Sequence, residues 1–121
     1  MCGGFGLFVT AEVLQGYFSL TDVAAALAPP RYNLTPGQAV ALVREQDGRR
    51  RLDAVHWGLI PFWAKAATIG RGLINARHDS VREKPAFREA FTRRRCLIPA
   101  SGFYEWSEAV GGRKRPHFIE P

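Results

Sequence analysis

Cysteine is scarce in this chain: 121 residues carry two thiols, Cys2 and Cys96. No secretion signal accompanies them, which excludes a disulfide framework and leaves two reduced thiols as the expectation. No CxxC pair occurs, and His56, His78 and His117 stand too far apart for a short metal-ligand motif, so neither a metal site nor a cofactor is expected. No apolar run approaches the roughly 20 residues of a bilayer span, and no basic region leads into an apolar N-terminal stretch. These absences point to a soluble, cytoplasmic protein without a membrane partner. Acidic residues are also in deficit, 11 against 17 Lys and Arg, for a net charge of +6. Part of the excess lies in runs, Arg49-Arg50-Arg51, Arg93-Arg94-Arg95 and Arg113-Lys114-Arg115. Such a surplus favours a polyanionic partner, the alternative for any one run being a solvated turn or helix end.

What is present is the composition of a globular chain: 46% apolar and 12% aromatic residues with scattered Gly and Pro. A chain of this size is one domain or part of one, and buries roughly two-thirds of its unfolded surface. GGFGLFV reads as a glycine-rich entry into a first strand. Thr10 then caps a helix over about 11–18, and Thr21 repeats the signal for TDVAAALA, which Pro29-Pro30 stops. RYNLTPGQ is extended or turn-like, because Pro36 disfavours helical geometry at Thr35. AVALVRE is a strand, and Asp47-Gly48 turns it into a second, RRLDAVHWGLI.

PFWAKAATIGRG has no period and reads as an aromatic and basic loop leading into a short strand, LINAR. Ser80 and Glu83 have capping-box spacing, predicting a helix from about Val81 that resumes after Pro85 through FREAFTRRR. RCLIPASGFYEWSE reads as strand, break, strand, and Gly111-Gly112 supply a second hairpin turn into RKRPHFIE. Short strands joined by hairpins, with helices between, predict a compact α+β fold rather than a parallel sheet. HFIEP is an apolar, strand-like ending, and its partner is expected beyond the residues present.

Several positions carry chemistry. Cys2 precedes two glycines, and a small second residue suits removal of Met1. The exposed α-amine has an ordinary pKa of about 7.7–8.0 and the thiol one of about 8.5. An amine and a thiol on adjacent carbons condense with an aldehyde, first to an imine and then to a thiazolidine. Glu105, in the aromatic run GFYEWS, shares a face with Phe103 and Ser107 while Tyr104 and Trp106 point the other way. Apolar neighbours would raise its pKa and suit it to acid–base work; the alternative is a solvated strand face. Asn75 and Arg77 fall on one face of LINAR, where an amide can hold a sugar hydroxyl and a guanidinium a phosphate. Asn33 can do similar work or simply bond its own turn. Pro61, Phe62 and Trp63 form an apolar wedge beside Lys65, suited to stacking on bases or to core packing. Cys96, between Arg95 and Leu97 in a strand, reads as an inert buried thiol.

MCGG, RYNLTPGQ, WGLIPFWAK, LINARHDSV, EKPAFREAF, RRRCLIPASGFYEW and KRPHFI, in this order over nearly the whole chain, resemble the successive blocks of the SOS-response-associated peptidase family, also called the abasic-site processing or YedK/HMCES family. The resemblance implies a curved, largely antiparallel, barrel-like sheet with inserted short helices. It implies a protein of the DNA damage response that binds abasic sites in single-stranded DNA, including single-strand/duplex junctions. Cys2 would form the thiazolidine with the ring-opened sugar, Asn75 would position that sugar, and Glu105 would be the acid–base catalyst. Asn33 and Arg77 would line the site and the DNA backbone, and Phe62, Trp63 and Lys65 would meet the DNA. The full-length protein would act as a monomer in the cytoplasm, at the nucleoid in a bacterium.

Two departures from the family pattern stand out. Gly4 replaces a usual arginine, removing one phosphate contact. The chain also ends before an HDRMP-like segment, so residues 1–121 are expected to be the N-terminal part of a single domain and at best weakly reactive alone. Lyase activity is a further expectation of the abasic-site reading. Two other functions fit the same residues: a cysteine-type peptidase or self-processing enzyme with Glu105 as base, and a non-catalytic binder of single-stranded DNA.

Overall fold

The structure, a computed structural model, describes residues 2–24, 30–108 and 111–121. Seven strands are present among them: β1 (Phe5–Leu7), β2 (Asp22–Val23), β3 (Arg31–Leu34), β4 (Ala39–Gln46), β5 (Arg49–His56), β6 (Gly102–Glu108) and β7 (Lys114–Ile119). Two short α-helices, α1 (Ala11–Phe18) and α2 (Arg88–Arg93), and a 3-10 turn over Ala67–Gly72 complete the order. The strands form a four-stranded sheet, β3-β1-β6-β7, and a three-stranded sheet, β2-β5-β4. Every pairing is antiparallel except β2 with β5. This is the expected α+β architecture, but the two sheets do not close into a barrel.

Local chemistry explains the elements that match the sequence pattern. The Thr10 hydroxyl accepts from the Val13 amide at 3.4 Å and opens α1. Ser19 ends it in the left-handed region, φ 52°, its N–H turned back to Gln15 and Gly16. Asp47 and Gly48 both take positive φ, 53° and 72°, the twist a two-residue type I′ hairpin requires, and β4 pairs with β5 from Gln46↔Arg49 to Ala39↔His56. Gly111 and Gly112 have positive φ as well, on the approach to β7.

Four expectations are corrected. HFIEP has its pairing partner within the chain, His117, Phe118 and Ile119 lying opposite Glu105, Tyr104 and Phe103, because the hairpin folds β7 back on β6. The start of TDVAAALA is strand: Asp22 and Val23 pair with Arg51 and Leu52, because β5 has an open edge that two extended residues can fill. The rest of that predicted helix, residues 25–29, lies outside the described residues. LINAR is not a strand, since no backbone ladder takes it up. The helix expected from Val81 is a series of turns until Arg88, with α2 only Arg88–Arg93; Pro85 lacks the N–H that would have joined the two halves.

The core has two parts. Leu14 and Leu20 pack with Ala41, Val43 and Leu52, and Leu52 is fully buried. Phe5, Leu34 and Val40 form the second part, and Leu7 packs against both. A two-bond bridge, Val43 to Leu97 and back at 2.8 and 2.9 Å, ties the segment entering β6 to the three-stranded sheet. Both ends of the chain thereby reach one place: β1 lies between β3 and β6, with Phe5 opposite Phe103.

Candidate functional site

Cys2 lies at the approach to β1, and the Tyr104 amide donates to the Gly4 carbonyl at 2.9 Å, continuing the β1–β6 pairing toward the N-terminus. A side chain at Gly3 would begin 3.8 Å from the Trp106 ring, so the approach to β1 runs alongside β6. The half-buried Cys2 thiol donates to the Gly4 carbonyl at 3.5 Å. From the far side, the Asn75 side-chain amide donates to the Cys2 carbonyl at 2.9 Å. Segments remote in sequence therefore meet at residues 2–4, Asn75 at Cys2 and β6 at Gly4.

Trp57 holds the Asn75 segment in place. Its indole N–H donates to the Ile74 carbonyl at 2.8 Å, and its ring packs on Phe5 with centroids 5.5 Å apart. The Leu59 amide donates to the Leu73 carbonyl at 3.0 Å. A cavity of about 650 Å³ opens beside this joint, with Cys2, Asn75, Trp57, Phe103, Ile98 and Cys96 among its lining residues. Its walls are mainly apolar and its polar groups few, the usual make-up of a small-ligand site.

The predicted face assignment of β6 is observed. Tyr104 and Trp106 lie together, centroids 6.5 Å apart, while Phe103 lines the cavity. Ser107 Oγ lies 2.7 Å from His117 Nε2, and His117 is the residue opposite Glu105 across the β6–β7 pair. Glu105 is half-buried. Asn33 is in β3, its amide oxygen 3.7 Å from where a side chain at Gly4 would begin.

Other predicted residues point elsewhere. Arg77 is fully engaged by Asp79, Nη2 to Oδ2 at 2.6 Å with Nε sharing the same carboxylate. The pair holds the Asp79 carboxyl below the usual carboxylate range and the Arg77 guanidinium above its own. Pro61 is buried and is no part of an exposed wedge, whereas Phe62 and Trp63 stand out at 76% and 49% exposure, with Lys65 also exposed. Cys96 is not the buried strand thiol expected: the residue is exposed and outside any strand, although apolar neighbours desolvate the thiol enough to push its pKa up. The basic run at 49–51 is partly structural, with Arg50 on Glu45 and Arg51 on Asp22 and Asp53. Among the described residues no group of three or more His, Cys, Asp or Glu side chains could hold a metal ion. Trp57 and His117 were missed by the sequence reading, since only tertiary register reveals what they face.

A two-sheet α+β domain that brings a cysteine at the second position and a side-chain amide together at one cavity is the class of protein defined here. The chain belongs to the SOS response associated peptidase (SRAP) family, whose profile matches residues 1–121. It is 38% identical over 121 residues to the abasic site processing protein YoaM of Bacillus subtilis, covering 99% of this chain and 53% of that one. To the abasic site processing protein YedK of Escherichia coli it is 36% identical, covering 98% and 53%. To the abasic site processing protein HMCES of Mus musculus it is 35% identical over 103 residues, covering 74% and 29%. A crystal structure of a protein from Bacteroides thetaiotaomicron superposes with a TM-score of 0.84 at 26% identity, over 98% of this chain and 54% of that one. The chain thus spans about half the length, or less, of the curated relatives it matches.

Proposed function

We propose that the protein processes abasic sites in single-stranded DNA by covalent capture through Cys2. The observation that carries this reading is the 2.9 Å bond from the Asn75 amide to the Cys2 carbonyl beside the cavity, which fixes the second residue where a small electrophile can enter. Membership of a family whose relatives are named for abasic site processing supports it.

The chemistry follows from the groups present. An abasic sugar opens to an aldehyde. With Met1 removed, the α-amine of Cys2 adds to the aldehyde carbon, and the carbinolamine loses water to give an imine. The Cys2 sulfur, having given up its proton, adds to that carbon as the imine nitrogen takes one up, closing a thiazolidine. The net change is loss of one water. In this proposal Glu105, a half-buried carboxyl on the strand that pairs with β1, carries the proton in each step, and Asn75 orients the residue that reacts. Phe62, Trp63 and Lys65 offer an exposed aromatic and basic surface for bases and phosphates. Asn33 and Arg77 complete the proposed DNA contacts, the latter once phosphate competes with Asp79. We assign this activity to the whole protein, with residues 1–121 as the N-terminal part of its domain.

The test is a denaturing gel with single-stranded DNA carrying an abasic site. The intact protein should give a heat-stable shifted band, absent with undamaged DNA and absent for Cys2→Ala. A Cys2→Ala protein that crosslinks like wild type overturns the thiazolidine; cleavage of added peptides would instead favour a peptidase.

A further inference from the structure

We infer that the groove beside α2, rimmed by Arg82, Phe91 and Arg95, is a second binding surface for single-stranded DNA, holding the strand that flanks the nucleotide at Cys2. The inference rests on the reading of Cys2 given above and concerns where the rest of its DNA lies.

From Arg82 to Arg95 the sequence has six cationic side chains against two carboxylates, a net +4 of the protein's +6. All six cations are exposed. Glu89 takes up Arg94 at 2.9 Å, but among the described residues no carboxylate pairs with Arg82, Arg93 or Arg95. A lone surface cation is ordinarily a solvated one, yet two of these are held together. The guanidinium carbons of Arg82 and Arg95 lie 5.4 and 5.7 Å from the centroid of the Phe91 ring. The ring attracts each cation, and gathering both at one ring sets like charges near each other. An anion relieves that repulsion, and two guanidinium forks match the oxygens of a phosphate backbone.

Phe91 and Arg95 border a groove of about 810 Å³ whose lining also includes Val43, Val81, Phe87 and Leu97. On its β4–β5 side the charges are matched, Arg44 by Asp53 at 2.7 Å and Arg50 by Glu45 at 3.3 Å, so the unmatched charge is on the α2 side. An apolar lining under a cationic rim suits a strand that offers unpaired bases and phosphates together. An acidic peptide would use the rim and leave the lining unfilled. Phe87 and Cys96 border both this groove and the cavity beside Cys2. The two are therefore adjacent, and a strand with one nucleotide at the cavity has its neighbours at the groove.

The experiment measures binding of undamaged single-stranded DNA of about 16 nucleotides, the upper end of common site sizes, by the intact protein as salt is varied. The double variant Arg82→Gln/Arg95→Gln should raise the Kd about tenfold and flatten the slope of log K against log salt by about 1.4, or 0.7 for each of two phosphates. Arg82→Lys/Arg95→Lys keeps both charges and should keep the wild-type slope, which separates lost contacts from a folding effect. Arg113→Gln/Arg115→Gln removes the same charge from exposed positions on the approach to β7 and should raise the Kd no more than about twofold. On abasic DNA, the loss in the Arg82/Arg95 Gln pair should appear in the protein concentration needed for half-maximal adduct formation. Equal losses in the two Gln pairs would make the effect one of net charge, and an unchanged Kd and slope would leave the groove without DNA; either overturns the inference. Polyglutamate that binds as tightly as the DNA, and is lost in the Arg82/Arg95 Gln pair, would assign the groove to an acidic polypeptide and overturn it too. If Cys2→Ala still crosslinks while the Arg82/Arg95 Gln pair weakens DNA binding as expected, the reading of Cys2 falls and the groove stands as a DNA surface.

Discussion

Asn75 and Cys2, 73 residues apart in sequence, are joined by a single hydrogen bond, side-chain amide to backbone carbonyl. Under the proposed function the bond would orient the reacting residue without occupying its amine or its thiol. Asn75→Ala should therefore slow adduct formation by about 10- to 100-fold, the scale of a small misplacement of reacting groups. Because the bond is exposed, it should cost no more than about 0.5–1.5 kcal/mol of stability. Single-turnover crosslinking beside a urea titration separates the two effects.

Asp79 holds the Arg77 guanidinium that the proposed function offers to a DNA phosphate. Asp79→Asn should tighten binding of single-stranded DNA and steepen its salt dependence by about 0.7 per phosphate gained. The sign of the pH effect follows from the lowered carboxyl: pairing is present above the ordinary Asp range and is lost only as pH falls through the depressed value. Neutral buffer therefore leaves the clamp closed, and wild type should show no gain in affinity between pH 8 and pH 6, the interval to be measured by fluorescence anisotropy.

A side chain at Gly4 meets only ordinary contacts, Leu34 O at 3.5 Å, Tyr104 Cδ2 at 3.6 Å and Asn33 Oδ1 at 3.7 Å. Gly4→Arg should thus fold and strengthen binding to single-stranded DNA by adding a cation beside Asn33. By contrast, Gly102→Ala should destabilise the protein, because its Cβ would sit 2.5 Å from Phe118 Cζ and 2.7 Å from the Ile119 carbonyl. Thermal melts of the two variants should move apart.

Wild-type affinity should fall with salt at a slope of about −2 to −3.5 in log–log form, as for three to five neutralised phosphates. Trp63→Ala should weaken binding by roughly 1–3 kcal/mol if the indole stacks on a base, with little change in slope. A flat salt dependence would remove nucleic acid as the partner.

Among the described residues Leu52 is the one large side chain with no exposure, so Leu52→Ala should cost about 2–5 kcal/mol. A loss below 1 kcal/mol in chemical denaturation would mean that the core repacks around it.

The local elements were legible because their causes are local. Asp47-Gly48 and Thr10 act on backbone within a few residues, so the β4–β5 hairpin and α1 follow from sequence. LINAR failed because a strand needs a partner. Its backbone is taken instead by the Trp57 indole and the Leu59 amide, and period-2 alternation cannot foresee either. TDVAAALA failed at its start because β5 captured Asp22 and Val23. At the site, Cys2 and Asn75 do meet, but no spacing rule joins residues so far apart in sequence, and they were linked beforehand only through family resemblance. The pairing of Arg77 with Asp79, the exposure of Cys96 and the placement of His117 depend on contacts that no spacing rule encodes.

The hairpin Gln46↔Arg49 closes over two residues, whereas Phe5↔Phe103 joins positions near opposite ends of the chain. Short loops close in well under a microsecond and hairpins within microseconds, while distant pairings wait on the entropy of a long closure. During synthesis β1 emerges well before β6, the strand that pairs with it. Until β6 is made, Cys2 and the glycines after it have no such strand beside them, and under the proposed function this is the interval in which Met1 would be trimmed. On that reading, assembly of β1 against β6 would act as a timer: the start of the sequence is processed while it is loose, and becomes a site only when the sheet forms.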